Sequence, residues 1–167
     1  KKSIQAIKNC SLKDNAKNIV FSDGNPKSKI MLIGEAPGAN EDEEGLPFVG
    51  RAGVLLDKML SAINLNRGKV YISNIINYRP PENRRPTDEE IRRYLPFITK
   101  HIEIINPKIL VFRYYNPFLG ISYGWIAKKI PNNIKKVALV DNWIPHEKGM
   151  LDRILNIHFA KYIDIFT

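Results

Sequence analysis

Apolar positions along the chain follow two rhythms. Short continuous runs recur at Lys29–Gly34 (KIMLIG), Val70–Ile75 (VYISNI), Lys108–Phe112 (KILVF) and Lys136–Val140 (KVALV). Runs of that length, rich in β-branched residues, predict buried strands. Between them the spacing changes to three and four. Gly50–Ile63 places Val54, Leu55, Met59, Leu60 and Ile63 at helical intervals. Thr87-Asp88-Glu89-Glu90 reads as a capping box, in which the Thr87 hydroxyl accepts from the Glu90 backbone N–H and the Glu90 carboxylate reaches back. The helix it starts runs to about Ile105 and is expected to bend or break near Pro96. Pro117–Lys129 predicts a helix despite Gly120 and Gly124. Met150–Phe166 predicts a closing amphipathic helix with Leu151, Ile154, Leu155, Tyr162 and Ile163 on one side.

Strand and helix alternate four times. That order specifies a single α/β domain over residues 1–167, a three-layer αβα sandwich around a mainly parallel four-stranded central sheet. Such sheets place ligand sites at the carboxyl ends of their strands. The loops after Gly34, Ile75 and Val140 are therefore expected to build one site.

Composition narrows the class. The 167 residues are 44% hydrophobic and 26% charged, which suits an ordinary core and excludes a disordered chain. No apolar run approaches the roughly 20 residues of a membrane span. The formal net charge is +9, which points to an acidic partner, nucleic acid first, beside the plainer reading of solubility. The charge is uneven: residues 31–50 hold five acids and no base, a net −5 island inside a basic chain. Cys10 is the one cysteine, so no internal disulfide and no cysteine-built metal or iron–sulfur site is expected, and no cofactor. A reducing, cytoplasmic setting and a monomer are expected. Lys1-Lys2-Ser3 brings neither an initiating Met nor an apolar signal segment, as in a trimmed fragment.

Two loops carry chemistry. The first runs from Gly34-Glu35-Ala36-Pro37-Gly38 through the acidic residues Glu41-Asp42-Glu43-Glu44 to Pro47-Phe48-Val49-Gly50. It lacks the Gly-Lys-Ser/Thr of a phosphate loop. Its acids suit the orientation of water or the stabilisation of a developing cation. Phe48 fits either a core plug or a platform for a flat base. The second loop begins at Asn74, whose amide offers a donor and an acceptor. It suits either a pyrimidine edge or the backbone groups of a strand end. Arg79, Arg84 and Arg85 follow among three prolines, a stiff basic segment open to phosphates or simply to solvent.

The segments IGEAPGANEDEEGLPFVGRAGVLLDKML, VYISNIINYRPPENRRPTDEEI and INPKILVF together resemble the uracil-DNA glycosylases, in the branch often called family four. The resemblance spans about Cys10 to Phe112 and implies an enzyme of base-excision repair acting on uracil-containing DNA. It flips uracil from the strand and hydrolyses the bond to deoxyribose. Carried over by position, Phe48 stacks on the uracil, Asn74 reads its edge, and Gly34 and Ala36 line the base site. Glu35, Glu41 and Asp42 supply the carboxylate that positions water or stabilises the oxocarbenium-like sugar, with Glu41 the first choice and Glu35 the second. Arg79, Arg84 and Arg85 hold the DNA backbone.

The chain departs from the family pattern twice. Many members hold an iron–sulfur cluster on four cysteines. Here Cys10 fills one such place, Tyr78 and Tyr94 stand at two others, and the fourth, near Ile7, is absent. Aromatic packing of the two tyrosines is expected to fill that volume. The family also ends on a His-Pro motif whose His stabilises the departing uracil, and this chain has no His-Pro dipeptide. His146, six residues past the fourth predicted strand, is the substitute. His158 and His101 fall in predicted helices. An active glycosylase is thus the first reading and a silent, DNA-binding homologue the second. An α/β domain acting on another nucleotide or base is the third.

Overall fold

The computed structural model describes residues 1–114, 119–140 and 159–166. Six helices are described: α1 (Lys2–Gln5), α2 (Ser11–Asn15), α3 (Ala39–Glu44), α4 (Arg51–Ala62), α5 (Asp88–Ile105) and α6 (Leu119–Lys129). The strands are β1 (Ser22–Gly24), β2 (Ile30–Gly34), β3 (Tyr71–Asn74), β4 (Ile109–Tyr114), β5 (Lys135–Val140) and β6 (Ile165–Phe166). They form one sheet in the order β1-β3-β2-β4-β5-β6, parallel except for β1. Ile33 pairs with Ser73 on one side and Phe112 on the other, so β2 is central and buried.

The pleat explains the layers. Met31, Ile33, Tyr71, Leu110 and Phe112 face one way and pack with Tyr94, Ile98 and Ile102 of α5 and Ile126 of α6. Leu32, Ile72 and Val111 face the other way, against Leu56 and Leu60 of α4. Helices on both faces of a mainly parallel sheet give the expected sandwich.

The expected sheet of four strands is a sheet of six. The two additions are edges of two or three residues, too short to show an alternation. Ser22–Gly24 pairs antiparallel with β3, a contact between distant parts of the chain. Ile165–Phe166 joins β5 and so corrects the helix expected to run to Phe166. Asp164 starts this edge: its backbone N–H donates to the Lys136 carbonyl and its carboxylate accepts from the Lys136 N–H at 2.6 Å. Phe159 is fully buried against the rings of Phe112 and Tyr123.

Two further departures are local. Helix α5 runs unbroken through Pro96. Pro96 lies on the exposed face of the helix, where solvent can satisfy a carbonyl that loses its N–H partner. The acidic stretch 39–44, expected as loop, is helix α3. Glu41 and Asp42 sit in its first turn, where acids complement the helix dipole.

Candidate active site

A cavity of about 420 Å³ opens at the carboxyl ends of β2 and β3. Gly34, Glu35, Ala36, Gly38, Glu41, Phe48, Gly50, Arg51, Ala52, Asn74 and Arg113 line it. Two of the three expected loops thus meet. The loop after β5, with His146, lies outside the described residues, as does His158.

Gly34 sets the width of the slot. A Cβ built there would lie 2.5 Å from Asn74 Oδ1 and 2.6 Å from Phe48 Cζ. A larger residue would push the two apart, and the amide and the ring flank one point at the end of β2. Phe48 is half-buried, with its body against the α4 core and its ring edge on the cavity. The residue is both a core contact and a pocket wall. Asn74 is 3% exposed, and among the described residues no group hydrogen-bonds its amide. The strand end is held by other groups: Ile75 N–H donates to the Gly34 carbonyl at 2.9 Å, Ile76 N–H to the Glu35 carbonyl at 3.0 Å, and the Ser73 hydroxyl to the Phe21 carbonyl at 2.8 Å. The strand-end explanation of Asn74 therefore falls away.

The carboxylates separate by task. Glu35 is buried on the cavity wall, 3.4 Å from Arg85 Nε. Glu41 also touches the cavity, but its oxygens accept from the N–H groups of Gly38 (3.1 Å), Val49 (2.9 Å) and Gly50 (2.7 Å). Three of its roughly four acceptor sites thus hold backbone. Asp42 is absent from the cavity. Buried at 2% exposure, it accepts from the N–H groups of Lys17 and Asn18 and ties down the N-terminal segment. Two of the island's five acids, Glu41 and Asp42, thus hold backbone.

The basic loop is likewise engaged. Arg84 forks onto both oxygens of Glu90, at 2.9 and 2.7 Å, and pulls the Glu90 carboxyl below its usual range. Glu90 meanwhile completes the capping box with Thr87. Arg79 donates to Asn83 Oδ1 at 2.7 Å.

Two cations on the cavity went unnoticed in the sequence. Arg51 is exposed at the first position of α4, where a positive charge opposes the helix dipole. That local conflict was its one signal. Arg113 leaves the end of β4 and donates to the Ala52 carbonyl at 3.1 Å. His101, by contrast, is a core residue far from any site role: buried, stacked on Phe21 and bonded to the Tyr71 hydroxyl at 2.9 Å.

The residues at the expected cluster position do not fit an iron–sulfur cluster. Cys10 Sγ lies 3.6 Å from the Tyr94 hydroxyl, with both residues buried and Tyr78 beside them in the same core. Burial is the main cause that raises the pKa of both tyrosines. One cysteine beside two phenols cannot replace four cysteine ligands. Purified protein is expected to be colourless near about 400 nm and to lack stoichiometric iron by elemental analysis; about four irons per chain would overturn this.

Comparison with known proteins agrees with the geometry. The family described as the uracil DNA glycosylase superfamily matches residues 21–131. The type-4 uracil-DNA glycosylase of Sulfurisphaera tokodaii is 46% identical over 112 residues, 66% of this chain and 51% of that protein. That of Archaeoglobus fulgidus is 43% identical over 144 residues, 85% of this chain and 72% of that protein. That of Thermotoga maritima is 46% identical over 102 residues, 61% of this chain and 53% of that protein. The chain thus spans about half the length of two of these three relatives. The match to more than half of the chain, with the Gly34, Phe48 and Asn74 slot inside it, places this protein in the uracil DNA glycosylase superfamily, on its type-4 branch.

Proposed function

We propose that the chain, as a single monomeric domain over residues 1–167, excises uracil from DNA as a cytoplasmic base-excision repair enzyme. The observation that carries this is the unpartnered Asn74 amide facing the Phe48 ring across Gly34. A flat base enters such a slot face-on to the ring, and its polar edge meets an amide with both a donor and an acceptor. Ala36 completes the wall. Water adds to the sugar carbon as the N-glycosidic bond breaks, and the electron pair leaves with uracil. Glu35, on the cavity wall, is the carboxylate we assign to this water and to the developing positive sugar. Glu41, with three backbone partners, is assigned to holding the loop. His146 is assigned to the departing uracil oxygen. Arg79, Arg84, Arg85 and the exposed Arg51 are assigned to phosphates. Arg84 does so while its charge is balanced by Glu90.

No helix among the described residues is long and apolar enough to cross a membrane. A second reading, a homologue that binds DNA without excising, is favoured by the absent His-Pro dipeptide. The test is release of uracil from a labelled single-stranded oligonucleotide. Release is expected; binding with no release would establish the second reading.

A further inference from the structure

Phe48 carries a conformation its side chain does not favour. Its φ is 55°, in the left-handed region that a bulky residue enters only where its surroundings impose it. Three groups grip the backbone there. Glu41 accepts from the N–H groups of Val49 and Gly50 on one side. Gly53 of α4 leaves room for the Phe48 carbonyl, which would lie 1.7 Å from any Cβ at that position. Arg67 donates to the carbonyl of Pro47 at 3.2 Å and also to that of Phe48. Arg67 stands in the short 3₁₀ turn Arg67–Lys69 before β3, and its guanidinium is itself fixed. Asp57 of α4 takes its Nε at 2.8 Å and Nη2 at 3.3 Å, and Asp23 of β1 takes Nη1 at 2.8 Å. A planar fork on two carboxylates is preorganised to hold two successive carbonyls.

We infer that Arg67, anchored by Asp23 and Asp57, is a positioning residue for the base pocket: it locks the Pro47–Phe48 backbone in the left-handed turn that sets the Phe48 ring opposite Asn74. Arg67 has no place on the cavity wall and acts through Phe48. The inference rests on the proposed glycosylase reading for its effect on rate, but not for its effect on the loop.

A double-mutant cycle tests it. Arg67→Met is expected to lower kcat/KM for uracil release by roughly 10–100-fold in the parent and by less than about 2-fold in a Phe48→Leu background. An equal factor in both backgrounds would overturn the inference, because a general loss of packing acts whether or not the ring is present. A readout without substrate accompanies it: the Phe48 ¹³Cα chemical shift reports the left-handed backbone. That signature is expected in the parent and lost in Arg67→Met; its persistence in the variant would overturn the inference. A parent that shows the left-handed shift but releases no uracil refutes the glycosylase reading and leaves the shift to decide on Arg67. Should Arg67→Met fail to fold, Asp57→Asn, which loosens the fork while leaving it in place, enters the same cycle with the same outcomes.

Discussion

Replacing Asn74 with Ala is expected to reduce kcat/KM for uracil release by about 10²–10³ while leaving the melting temperature within a few degrees of the parent. The two effects separate because the Asn74 amide has no partner within the described fold. The end of β3 is tied down by the backbone bonds of Ile75 and Ile76, which the substitution leaves intact. The residue is 3% exposed overall, and its amide lines the open cavity, free to pair with what enters. A base whose edge matches it pairs with both donor and acceptor. A base whose edge does not match leaves donor and acceptor unpaired, which is how a polar pocket discriminates. Rate measurements on uracil-containing oligonucleotides, with thermal melting of the same samples, check both halves. A variant with parental rates would remove Asn74 from the reading of the base. A variant that melts much lower would show that the amide serves the fold.

Much of the frame was legible because it rests on local pattern. The four main strands lie within two residues of their apolar runs. The capping box at Thr87 closes with Glu90 as its spacing predicts. Asn74 ends β3 and Phe48 lies past α3 on the connection that leaves β2, and the parallel sheet brings the two carboxyl ends together. Helix α3 escaped because Asn40–Glu44 is polar throughout, so no hydrophobic period marks it. Its bracketing by Gly38 and Gly45 was the available sign. Glu41 and Asp42 drew attention as acids in a site loop, but acids in a helix's first turn are equally suited to backbone N–H groups. Which task each took depended on the direction of the turn. Arg67 was invisible: its partners Asp23, Pro47, Phe48 and Asp57 come from three separate stretches of chain, and no spacing announces them. Edge strands β1 and β6 share that character, since their pairing is decided by neighbours in space.

Stability is expected to fall by about 3 kcal/mol as pH drops from 6.5 to about 4, through His101 alone. Burial is the main cause that holds the His101 imidazole at about 4. Stacked 4.7 Å from Phe21 and bonded to the Tyr71 hydroxyl, the ring has no carboxylate among these contacts to welcome a second proton. In the unfolded chain the same ring takes up a proton near its ordinary 6.5. Between the two values the unfolded state binds more protons than the folded one, so stability rises with pH across that window. The full contribution is present above the unfolded value, is lost as pH falls toward 4, and changes no further below it. Carboxylates such as Glu90, held low by Arg84, lose their own contribution on further acidification and would confuse a single titration. A paired comparison removes them. Urea unfolding of the parent and of His101→Gln at pH 7 and pH 4.5 should show the parent losing more stability between the two conditions. The excess should be on the order of 2–3 kcal/mol at unchanged m-values. Equal losses in parent and variant would mean that the buried ring accepts its proton within the folded state, and the core around Phe21 and Tyr71 would then have to open to admit water.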